Sequence, residues 1–123
     1  MIVAGVGCRR GASADEIEQA VRRALEAHGI ARVDAVATET AKAQEPGIVE
    51  AARRLSAKLL SCPTSELDGI AVLTPSERVR AVKGVPSIAE ASAIVAAGRN
   101  ARLLGTRIAT PRATCALAEG EGR

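Results

Sequence analysis

Apolar positions along this chain fall into strand-length runs and runs at helical spacing, and the two kinds alternate. Ile2-Val3-Ala4-Gly5-Val6 is a strand-length run that empties into Gly7-Cys8-Arg9-Arg10-Gly11. Residues 13–28 then read as a helix, with Ile17, Ala20, Val21, Ala24 and Leu25 on one face. Ser13 and Glu16 make a capping box at its start, and His28-Gly29 closes it. Val33 to Thr38 predicts a second strand and Glu39 to Gln44 a polar loop. Glu45-Pro46-Gly47 opens another helix, whose apolar face is Ile48, Ala51, Ala52 and Leu55. Lys58 to Cys62 reads as a third strand and Pro63 to Leu67 as a short helix start.

The pattern weakens after that. Ile70 to Leu73 fits a strand or a helix end, Ser76 to Val82 is weakly helical, and Gly84-Val85-Pro86 breaks it. Ser87 and Glu90 make a second capping box ahead of Ile88 to Ala97, a segment apolar almost all round and therefore expected to be buried. Gly98-Arg99-Asn100 ends it. Ala101 to Leu104 and Ala113 to Ala118 predict the last strands, joined by Gly105 to Arg112, and residues 119–123 read as a disordered tail. Strands alternating with helices predict an α/β fold: a single layered domain over residues 1–118, with a mostly parallel or mixed sheet flanked by helices.

In such folds ligands sit outside the carboxyl ends of the strands. The loops Gly7 to Gly11, Thr38 to Glu45 and Gly84 to Ser87 are expected to share that edge. The first is suited to an anion. Gly7 and Gly11 let the backbone come close to a ligand, and the helix behind the loop offers unpaired N–H groups and partial positive charge. Arg9 and Arg10 add planar forks that match carboxylate or phosphate.

Composition narrows the partners. Of the 123 residues, 47% are hydrophobic, yet there is no Phe, Tyr or Trp, so the core is built from Ala, Val, Ile and Leu. Without aromatic platforms, base-stacking nucleic-acid modules are excluded. The net charge of +3 comes from scattered Lys and Arg with no basic tract, so no nucleic-acid partner is expected. Cys8, Cys62 and Cys115 show no metal-binding spacing, and their odd number fits a reducing compartment. No run reaches membrane-spanning length and no leader pattern opens the chain, so a cytoplasmic protein with no membrane partner is expected. No metal site and no cofactor is implied.

Each candidate group carries two readings. Gly5-x-Gly7 begins like a dinucleotide fingerprint, but Arg10 stands where the third glycine belongs, and Asp34 is the only nearby acid for a ribose. Cys8, beside two arginines and a helix start, has surroundings that lower a thiol pKa and make a nucleophile. It equally fits a small residue packed at a turn, and no His is placed to serve as its base. Thr38-x-x-x-Lys42-x-x-Glu45-Pro46-Gly47 is the second candidate: Lys42 as an anion-binding ammonium, Glu45 as an acid/base group or a helix-start carboxylate. Ser87 and Glu90 are a cap first and a binding pair second. Arg107 and Arg112 read as solvated charges around the last loop, and His28 as a cation at a helix C-terminus.

Taken together, Gly5-Val6-Gly7-Cys8-Arg9-Arg10-Gly11, Lys42-x-x-Glu45-Pro46-Gly47, Gly84-Val85-Pro86-Ser87-Ile88-Ala89-Glu90-Ala91 and Ala101-Arg102-Leu103-Leu104 with a last strand ending Cys115-Ala116-Leu117-Ala118 resemble the cobalamin-biosynthesis CobE/CbiG C-terminal-domain family. The segments occur in the family's order and span nearly the whole chain. Gln44 departs from the acidic residue common at its position, and Arg107 from a lysine. The resemblance implies a role in building the corrin ring. Longer relatives, which carry a further N-terminal domain, are associated with opening the lactone of a cobalt-precorrin-5A intermediate, and a chain of 123 residues looks like the stand-alone form.

Three functions follow from residues and resemblance together. The first is binding of a polycarboxylate precorrin or corrin intermediate, hydrogenobyrinic-acid-like, through Gly7, Cys8, Arg9, Arg10, Gly11, Thr38, Lys42, Ser87 and Glu90. The second is hydrolysis of a precorrin lactone, with Cys8, Lys42 and Glu45 as the catalytic group. The third is a non-catalytic partner of other corrin-pathway enzymes, with the apolar helix 87–97 as its interface.

Overall fold

The strand boundaries are set by where each strand finds its hydrogen-bond partner. The computed structural model describes residues 1–67, 88–105 and 107–122. The strands are β1 (Ile2–Cys8), β2 (Ala35–Glu39), β3 (Lys58–Cys62), β4 (Arg102–Leu103), β5 (Ile108–Ala109) and β6 (Ala113–Glu119), and the helices are α1 (Ala14–His28), α2 (Pro46–Arg54) and α3 (Ile88–Ala97). Residues 64–67 begin a further helical turn, as the Pro63 to Leu67 pattern predicts. The sheet order is β3-β2-β1-β6-β4, with β5 also paired to β6. β1/β2 and β2/β3 are parallel, whereas β6 runs antiparallel to β1, β4 and β5. The sheet is therefore mixed, its parallel half joined by the α1 and α2 crossovers that parallel strands require.

Strand alternation gives the sheet two different faces. Ala4, Val6, Val36, Cys115 and Leu117 face α1 and α2, and pack with Ile17, Val21, Leu25 and Ile48. Val3, Ala35, Ala37 and Ala118 face α3, and pack with Ala91, Ala93, Ala96 and Ala97. The first face is filled by branched aliphatics. The second is closed by bringing backbones together: a Cβ on Gly5 would collide with Ala89 O and the Ala93 backbone N, so only glycine fits there. α3 is thus a core element rather than the free interface considered for helix 87–97; its residues Ala89 to Ala93, Ala96 and Ala97 are buried.

α1 is capped as its sequence predicts. Ser13 Oγ accepts from Glu16 N at 3.1 Å and Glu16 Oε1 from Ser13 N at 2.8 Å, while Gly29 ends the helix at φ 65°. Two expectations need correction. Ile108–Ala109 is a strand inside the segment read as a connection, too short to show as an apolar run, and it exists because β6 offers it a free edge at Thr114 and Cys115. The tail from Glu119 is not disordered through Gly122. Gly120 N donates to Met1 O, Glu121 N to Arg99 O and Gly122 N to Ala97 O, so the first residue and the end of α3 hold it. The predictions for Ile70 to Leu73, Ser76 to Val82 and Gly84 to Ser87 lie outside the described residues. Among the described residues, no helix is long and apolar enough to cross a membrane.

Candidate functional site

β1 and β2 end on the same edge of the sheet, and α1 and α2 begin there. α3 begins there too: a Cβ on Gly7 would sit 4.0 Å from the Ala89 backbone N. The first loop is a tight turn. Ala12 N donates to Arg9 O at 3.0 Å and Gly11 has φ +79°, which fits a type II turn with its obligatory left-handed third residue. That geometry exposes Arg9 and Arg10 on consecutive positions. The second loop lies against the first, because Gly47 packs onto Ala12 O so closely that a Cβ there would collide with it. A 3-10 turn over Thr40–Lys42 and a bond from Glu45 N to Lys42 O at 3.0 Å hold Lys42 and Glu45 a single turn apart.

Cys8, Lys42 and Glu45 are consequently within electrostatic reach of one another, and Glu39 joins them. Burial pushes the half-buried Cys8 thiol up from its ordinary value, Lys42 opposes the rise, and Glu45 and Glu39 add to it. The net shift is upward, opposite to the lowering expected from the arginines and the helix start. Glu45 occupies the N-cap position of α2 without a side-chain capping bond, so its carboxylate is not used up by the helix.

The remaining sequence candidates separate. Thr38 is fully buried and its hydroxyl donates to Val6 O at 2.8 Å, which extends the β1/β2 ladder by one side-chain bond. Glu90, in the first turn of α3, is buried, and Arg107 Nη1 lies 3.8 Å from its Oε1. Ser87 lies outside the described residues. Asp34 belongs to the opposite end of the strands, where its carboxylate accepts from Ile2 N at 2.8 Å; that removes the ribose acid a dinucleotide site needs.

One wall of the edge escaped sequence reasoning. The β5–β6 hairpin folds back beside the first loop, and an open cleft of about 370 Å³ lies between them, lined by Gly7, Cys8, Arg9, Thr110, Arg112 and Thr114 among others. Arg9 N donates to Arg112 O at 3.0 Å, and Thr114 Oγ1 to Gly7 O at 3.3 Å. No local signal marks Thr110 and Thr114, or the placing of Arg112 beside the first loop, because the pairing joins positions about a hundred apart in the chain. Among the described residues, no cluster of three His, Cys, Asp or Glu side chains fit to hold a metal is present.

The family model described as "Cobalamin synthesis G C-terminus" matches residues 2–118. The chain belongs to the CobE/CbiG C-terminal-domain family. It is 38% identical over 121 residues to Protein CobE of a Sinorhizobium species, covering 95% of this chain and 79% of that one. It is similar in structure to the cobalamin biosynthesis protein chiG from Agrobacterium tumefaciens, with a TM-score of 0.84, 40% identity, and 98% and 99% of the two chains covered. CobE, a protein from the cobalamin (vitamin B12) biosynthetic pathway, superposes with a TM-score of 0.81 at 33% identity, over 100% of this chain and 92% of that one. A cobalt-precorrin-5A hydrolase from Priestia megaterium is 29% identical over 100 residues, which is 80% of this chain but only 27% of that protein. This member of the family is a cobalamin-biosynthesis protein. Gln44 is exposed in the second loop, and Arg107 is the residue that reaches Glu90.

Proposed function

We propose that this cobalamin-biosynthesis protein binds a polycarboxylate precorrin or corrin intermediate at the edge formed by Gly7 to Gly11 and Lys42 to Glu45. One observation carries the reading. The side chains of Arg9, Arg10 and Lys42 have no hydrogen bond or salt bridge among the described residues; Arg23, Arg32, Lys58 and Arg99 are also without a side-chain partner, but only the first three gather at one glycine-lined edge. Three cations left unpaired at a glycine-lined edge, where helices begin, suit the acetate and propionate arms of such a ring. Binding is expected to weaken as ionic strength rises. The test is a visible-spectrum titration with hydrogenobyrinic acid at rising salt. The protein has no aromatic residue, so its own absorbance does not interfere. Saturable, salt-sensitive binding supports the reading; no spectral change at any salt concentration removes it.

A hydrolytic reading has its own support. Cys8, Lys42 and Glu45 share one neighbourhood, and a relative carries a hydrolase name. With the thiol shifted upward, the chemistry this reading favours is Glu45 as base toward water, with Lys42 beside the acyl oxygen. Mass spectrometry of a lactone-bearing intermediate after incubation tests it: water gained with the wild type and not with Glu45→Gln supports hydrolysis, and an unchanged ligand mass removes it.

A further inference from the structure

We infer that the cleft between the first loop and the β5–β6 hairpin receives one carboxylate arm of the ligand, and that Arg112 is the residue that takes hold of it. The inference rests on the binding reading above and adds to it a residue that carries no sequence signal. A cleft of about 370 Å³ lies near the lower end of the roughly 300–1,000 Å³ typical of small-molecule sites. It is too small to enclose a macrocycle and suits a side arm, with the ring left outside on the edge.

Arg112 is placed and charged for the task. Its backbone is fixed: its carbonyl accepts from Arg9 N, and both Thr110 N and Thr110 Oγ1 donate to Ala113 O next in line. Its guanidinium is held by two long contacts. Nε lies 3.3 Å from Glu16 Oε2, and Nη2 donates to Arg10 O at 3.3 Å. Both contacts exceed the roughly 2.7–2.9 Å of a tight charge-assisted bond, and a guanidinium has five N–H donors to offer. Glu16 does not depend on Arg112 either, since its other oxygen already accepts from Ser13 N at 2.8 Å. An incoming carboxylate therefore replaces one long ion pair by a two-pronged one. Arg9, lining the same cleft, supplies a second positive charge. Glu16 is the competitor the ligand must displace.

The experiment is the same corrin titration with Arg112→Gln, Arg112→Lys and Glu16→Gln, each first melted thermally, and with two ligands: hydrogenobyrinic acid and a corrin with part of its carboxylates amidated. Arg112→Gln is expected to weaken binding of the full acid by about tenfold or more, as for loss of a charge-assisted pair. Arg112→Lys restores only part, because an ammonium lacks the fork. Glu16→Gln keeps the capping bond yet removes the competing charge, and tightens binding. Amidation and Arg112→Gln are then non-additive, since both remove the same contact, a signature that a purely structural role for Arg112 does not produce. If Arg112→Gln binds within twofold of the wild type, or the two losses simply add, the inference is wrong while the binding reading stands. If the wild type binds neither corrin, both fall.

Discussion

The two ends of the central strands treat charge in opposite ways. Around the start of β1, the Met1 ammonium, Asp34 and Arg102 each find a partner within the chain. The Met1 ammonium donates to Gly120 O at 2.9 Å, Ile2 N to the Asp34 carboxylate at 2.8 Å, and Arg102 pairs with Glu119 at 2.8 Å. At the carboxyl end, Arg9, Arg10 and Lys42 have no such partner among the described residues, and Arg112 is held only by long contacts. Both ends are built from the same strands, so the sheet does not explain the difference. One end closes the fold on itself; the other carries the cations that the proposed binding reading assigns to a ligand.

The strongest way to break this contrast is to disturb the packing that assembles the ligand end. Gly47→Val would drive a side chain into Ala12 O and force α2 off the first loop; a loss on the order of 3 kcal/mol in urea unfolding is expected, with corrin binding lost as well. Between the two ends lies Cys115, whose thiol burial pushes up to about 12. A group with a raised folded pKa stabilises the fold fully below its unfolded value and loses that contribution as pH climbs toward the folded one. Stability should therefore fall by a few kcal/mol between about pH 9 and 12, and Cys115→Ala, although weaker at pH 7, should flatten that fall in urea melts along a pH series.

Smaller changes sharpen the contrast. Arg9→Gln with Arg10→Gln should weaken corrin binding about tenfold or more while shifting stability by less than about 0.5 kcal/mol. Asp34→Ala, at the other end, should do the reverse: a cost of about 1–2 kcal/mol from the unanswered Ile2 N–H, with binding unchanged in the same titration. Arg102→Gln removes an exposed pair and should change stability by less than about 1 kcal/mol and binding not at all.

Legibility from sequence followed the range of the interactions involved. α1 could be read to its caps, because Ser13, Glu16 and Gly29 act within a turn of their own helix. β3 was readable to its ends, from the Leu59-Leu60 pair and the Pro63 that stops the strand. β5 and the ordered Gly120 to Gly122 were not, since each exists through partners far away in the chain: Thr114 and Cys115 for one, Met1, Arg99 and Ala97 for the other. The site divides along the same line. The first loop and Lys42 to Glu45 announce themselves by glycine and charge, and the structure brings them together. The direction of the Cys8 shift could not be read, because burial decides it and burial is a property of the whole fold. Arg112 looked like any surface arginine until the antiparallel pairing of β6 with β1 set it beside Arg10. The motif glycines turn out to work as contact points: Gly5 seats α3 and Gly47 seats α2 against the first loop, which is why those motifs sit together in space.

The central claim is that the carboxyl end of the strands, and not the amino end, meets a polycarboxylate corrin. The most direct measurement is one titration with hydrogenobyrinic acid on three proteins side by side: wild type, Arg9→Gln with Arg10→Gln, and Arg102→Gln. The account predicts saturable binding by the wild type and Arg102→Gln with equal affinity, and a loss of about tenfold or more for the double variant. Equal affinity in all three, or equal loss from both ends, would contradict it.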